Sequence, residues 1–171
     1  MASKTDFNHD EWRILRDSMT LVTVAVSSAE ASGLFGTLKE ALAPAELIRE
    51  AIMGENELIR SLCERSEMRQ SAEDLRKEIP NFDFNAFKDR SIREAKQHCQ
   101  TGKAILLRKS FTDDAEAYSR FIMALAIQVA KAAREDSLTG YQADSISDNE
   151  RLLLHDLATL LEQPTDGLLE A

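Results

Sequence analysis

Proline and glycine are scarce, with three and six copies in 171 residues, so little in the chain interrupts a helix. Cysteine is scarcer still. Cys63 and Cys99 stand far apart, with no Cys-x-x-Cys and no histidine at a ligand spacing. That excludes a disulfide framework and the common zinc motifs, and it fits free thiols in a reduced compartment. Basic residues are outnumbered: 21 Lys and Arg against 30 Asp and Glu leave 21 − 30 = −9. A phosphate backbone would repel such a surface, which argues against a nucleic-acid partner. No run reaches the roughly 18 apolar residues of a membrane span; Thr23 breaks 21–26, and Gln128 and Lys131 break 123–133. Residues 1–13 are too polar for a signal peptide, so the expected location is cytoplasmic.

What remains is a chain rich in Ala, Leu, Glu, Arg and Lys, which favours helix throughout. Its length suits one domain with one core, so residues 1–171 are read as a single all-α unit of about seven or eight helices. Trp12, Leu15, Met19, Val22 and Val26 recur at steps of three or four, predicting a helix over about 10–31 that Gly33 and Gly36 end. Thr37-Leu38-Lys39-Glu40 has the form of a capping box and should open a second helix to about residue 53, kinked or split by Pro44. A short helix follows over 57–65, and Ser71-Ala72-Glu73-Asp74 offers a cap for another ending before Pro80. Phe82, Phe84 and Phe87 read as core plugs. A weakly amphipathic helix runs from 84 to about 100, where Thr101-Gly102 should end it before a short helix over 103–110.

The clearest helix starts at Thr112 and Asp113 and carries Tyr118, Phe121, Ile122, Leu125, Val129 and Ala132 on one face to about residue 134. Residues 135–146 read as a loop. Ser147-Asp148-Asn149-Glu150 is another capping box, opening a helix with Leu153, Leu154, Leu157, Leu160 and Leu161. Residues 162–171 should form a frayed tail. The expected core gathers Trp12, Val22, Val26, Phe121, Leu125, Val129 and Leu157.

The two ends share a plan: a long apolar helix, an acidic turn, then a Ser/Thr-x-x-Glu helix start, as in a diverged internal repeat. Residues 22–33 with Thr37 and Glu40 form one copy, and residues 126–136 with Ser147 and Glu150 the other. At these residues the chain resembles the tellurite-resistance TerB-like family of small all-helical proteins, in which a helix ending in Ala-x-Ser-Asp-Gly precedes an acidic Asp-x-x-Glu helix start, twice per chain. The resemblance covers about a third of the sequence. It implies a TerB-like bundle, a cation-binding stress-response role and partners near membranes; the lack of catalytic motifs adds the expectation that the chain is not an enzyme. The first copy departs from the pattern, since Ser32-Gly33 lacks the aspartate and leaves only Glu30 and Glu40 nearby.

The second copy is richer in oxygen ligands. Asp136, Asp144, Asp148 and Glu150 flank one hairpin, and a divalent cation such as calcium needs several such oxygens around one point. Residues 135–171 hold nine carboxylates and one Arg, a local field that concentrates cations. The same Asp148 and Glu150 also serve as first-turn and capping residues of a helix, a role requiring no metal. The EF-hand pattern is absent, and Glu-x-x-His of the di-iron bundles does not occur at Glu94 and His98 or at Glu150 and His155. Neither a phosphate-binding glycine loop nor a Gly-x-Ser-x-Gly elbow is present.

One stretch runs against the acidic background. Lys88, Arg90, Arg93, Lys96, Lys103, Arg108 and Lys109 face only Asp89 and Glu94. This 88–109 strip suits an acidic protein partner or an anionic surface, the basis of a second reading as a metal-free helical adaptor; the alternative is a solvated face paired with the acidic end. Uncovered apolar residues on the last helix would point to a homodimer.

Overall fold

The computed structural model describes residues 1–29, 44–77, 84–137 and 147–164, with backbone alone at 84–86 and 133–137. After a 3-10 turn at Lys4–Asp6 come α1 (His9–Ala29), α2 (Ala45–Met53), α3 (Glu57–Leu62), α4 (Arg65–Lys77), α5 (Phe84–Arg108), α6 (Thr112–Ser137) and α7 (Asp148–Leu161). Among the described residues there are seven α-helices and no strand. The all-α reading therefore holds.

Helix α1 begins where Asn8 and Glu11 satisfy each other's backbone: the Glu11 N–H donates to Asn8 Oδ1 at 2.9 Å and the Asn8 N–H to Glu11 Oε2 at 3.1 Å. Its apolar stripe is buried along its length, with Leu15, Val22, Ala25 and Val26 fully enclosed. The principal packing partner of α1 is α5. Lys88 donates to the Ala29 carbonyl near one end, and Arg108 pairs with Glu11 at the other, so the two helices run antiparallel. Helices α5 and α7 run in the same direction, because Lys96 pairs with Asp156 and Lys103 with Glu162. Helix α6 packs on another side of α1, contributing Tyr118, Ile122, Leu125 and Val129. Every residue of the expected core, from Trp12 to Leu157, is buried. At about 1.5–3 kcal/mol per enclosed large apolar side chain, this stripe-on-stripe packing supplies the main driving force of the fold.

Three boundaries differ from expectation. Helix α5 is continuous through Thr101-Gly102, because Gly102 is used for close packing: a Cβ there would lie 2.7 Å from Tyr118 Oη and 3.2 Å from Leu15 Cδ2. The helix ends instead at Ser110, whose left-handed backbone (φ 66°) allows the Phe111 N–H to reach the Leu106 carbonyl at 2.9 Å. Helix α4 starts at Arg65, so Ser71 lies mid-helix and buried and caps nothing. Helix α6 continues to Ser137, which makes Glu135 and Asp136 helical. Pro44 stands at the N-cap of α2; Thr37, Glu40, Gly33 and Gly36 lie outside the described residues. So do Phe82, the side chain of Phe84 and residues 165–171. Phe87 is half-buried.

Candidate cation site at the start of the last helix

The capping box that opens α7 forms as its sequence requires. The Glu150 N–H donates to Ser147 Oγ at 3.3 Å, while the Ser147 N–H and hydroxyl both donate to Glu150 Oε2, at 3.0 and 2.8 Å. Glu150 is only 3% exposed. Its second oxygen, Oε1, is buried with no hydrogen-bond partner. An unpaired buried carboxylate oxygen carries a substantial desolvation cost, and a cation or a bound water relieves it.

The other expected ligands are placed less completely. Asp148 is exposed beside the cap. Asp136 occupies the last turn of α6 as backbone, its side chain lying outside the described residues, as does the whole of Asp144. Among the described residues no group of three or more His, Cys, Asp or Glu side chains is arranged to hold a metal ion. Of the two expected ligands whose side chains are described, Asp148 and Glu150, Glu150 has a buried, unsatisfied oxygen. The capping motif accounts for Oε2 and says nothing of the orphaned Oε1.

Burial pushes both the Cys63 and Cys99 thiols up to about 12, so neither holds an appreciable thiolate at neutral pH. His9 and His155 are exposed. Burial holds His98 below the usual imidazole range, against the pull of the Asp17 and Glu94 carboxylates, and its Nδ1 lacks a partner.

Buried polar groups invisible to the sequence reading are structural. Asp114, 2% exposed, accepts from the Ala2 N–H at 2.7 Å and from Asn56 Nδ2 at 2.8 Å, tying the start of the chain and the N-cap of α3 to α6. Arg16 bridges Asp17 at 2.8 Å and Asp74 at 2.9 Å, joining α1 to α4. Glu67 accepts from Trp12 Nε1 at 2.8 Å and pairs with Lys4.

The basic strip is largely spent within the chain. Arg90 holds Glu94 at 2.6 Å, Lys103 holds Glu162 at 2.9 Å and Lys109 holds Glu11 at 3.0 Å. Lys88, Lys96 and Arg108 are engaged as described above. Arg93 is exposed. No helix among the described residues is long and apolar enough to cross a membrane. No protein family, curated protein or solved structure matches the chain.

Proposed function

We propose that the chain is a non-enzymatic, cation-binding stress-response protein of the tellurite-resistance TerB-like type, taking a divalent cation such as calcium where α6 gives way to α7. The observation that carries this reading is Glu150 Oε1, a carboxylate oxygen buried without a partner at the head of a helix. Asp148 adds a second carboxylate on the same turn, and Asp136 and Asp144 are the remaining proposed ligands. The acidic balance of residues 135–171 enriches cations locally whatever the geometry of the site.

Calcium titration followed by calorimetry and thermal unfolding tests the reading. A bound ion stabilises by RT ln(1 + [L]/Kd), about 2.7 kcal/mol at a hundredfold excess over Kd. Glu150→Gln keeps an acceptor for the Ser147 cap while removing the charge, so it should abolish the calcium response and leave the metal-free melting temperature nearly unchanged. A flat titration of the parent chain up to millimolar metal removes the cation reading and leaves the metal-free adaptor.

A further inference from the structure

A cleft of about 260 Å3 opens between α1, α4 and α5. Its walls are apolar: Leu21 and Val24 from α1, Leu75 from α4 and Phe87 from α5. A second cleft of about 190 Å3 adjoins it, sharing Thr20, Val24 and Ala72 and adding Met19, Met68 and Leu125. The pair follows α1 from Arg16 to Val24, a helical rise of about 12 Å. Binding sites for compact drug-sized ligands run to roughly 300–1,000 Å3 in one body. Two smaller clefts drawn out along α1 and sharing Thr20, Val24 and Ala72 suit an extended occupant better than a compact one.

Charge sets its polarity. The larger cleft is also lined by Arg76, Arg90 and Glu94, a balance of +1. Arg90 is held by Glu94 at 2.6 Å, whereas Arg76 is exposed and makes no ion pair with another described residue. At the far end Arg16 is already occupied by Asp17 and Asp74. One guanidinium is therefore left for a single negative charge, next to a channel that offers an alkyl chain relief from water.

We propose that this trough binds a free monoanionic amphiphile of fatty-acid type, its acyl chain laid along α1 and its carboxylate paired with Arg76. The site uses none of the residues assigned to the cation.

Laurate, dodecanol and dodecyltrimethylammonium, each below its micelle-forming concentration, are titrated into the full chain by calorimetry and by melting temperature. Laurate should bind with one-to-one stoichiometry and raise the melting temperature. Dodecanol should bind at least tenfold more weakly, and the cationic amphiphile not at all. Arg76→Glu, an exposed change that leaves the core intact, should weaken laurate at least tenfold and leave dodecanol unaltered. Val24→Trp, which fills the trough, should abolish binding of both; if that variant fails to fold, Arg76→Glu decides. Absence of laurate binding, equal binding of all three amphiphiles, or laurate binding indifferent to Arg76→Glu overturns the proposal.

Discussion

Single atoms decide several features of this chain. Gly102 looks like a helix terminator, because in sequence a glycine after a threonine reads as an end signal. In the structure its missing side chain makes room for the Tyr118 hydroxyl, which is hydrogen-bonded to Ser18 at 2.6 Å inside the core. Gly102→Ala should therefore destabilise by about 1–3 kcal/mol despite the better helix propensity of alanine, measurable by chemical denaturation. Titratable groups act at the same scale. Burial opposes ionisation of Glu67, but Lys4 and the Trp12 indole outweigh it and hold its carboxyl below the usual 4.5. An unfolded chain takes up that proton first, so the stability this group provides is complete above 4.5 and is lost as pH falls through its folded value. His98 has the same sign, because burial keeps it neutral below the usual 6.5. The unfolded imidazole charges first, and stability declines as pH drops beneath 6.5. Melting temperatures across pH 8 to 3 should show both declines, and His98→Gln should remove the upper one alone.

Elements were legible where one apolar stripe met one cap. Helices α1, α6 and α7 follow the three-to-four spacing of Trp12 to Val26, Tyr118 to Val129 and Leu153 to Leu161, and the Ser147-Glu150 box closes as expected. Helices α4 and α5 were misread at their boundaries because serine and glycine carry the same local signal whether they end a helix or pack inside one. The end of α5 falls where the expected 103–110 segment stops, and its closure by Ser110 at φ 66° is the part that serine, which rarely adopts that conformation, does not announce. Helix α7 closes in the same way at Glu162, φ 54°, whose neighbour Gln163 donates its N–H to the Ala158 carbonyl at 2.8 Å. Glu162 and Gln163 are thus held, where a frayed tail was expected from 162. Ser110→Gly should stabilise by about 1 kcal/mol by removing the left-handed penalty. Ser147→Ala should cost about 1 kcal/mol through loss of the cap. Both are read from denaturant midpoints.

Over the whole molecule, the periodicity of the sequence told which residues gather in the core but not which helices meet. Helix α5 is the chief partner of α1, although its pattern is weakly amphipathic, and Gly102, where a Cβ would lie 3.2 Å from Leu15 Cδ2, lets the two helices approach. Leu157→Ala, which opens a cavity where α7 meets the core, should cost about 2–5 kcal/mol. The candidate site was half legible: the capping pattern marks Glu150, while the missing partner of its second oxygen is not written in that local motif.

Gly102 and Tyr118 lie equally far on either side of Ser110, so α5 and α6 form a hairpin closed by a very short loop. Bringing those two halves together demands little chain entropy, which favours their pairing early in folding. Gly102→Ala should then retard refolding, whereas Leu157→Ala, on a helix that docks later, should chiefly hasten unfolding; stopped-flow chevrons of the two variants separate these kinetic signatures.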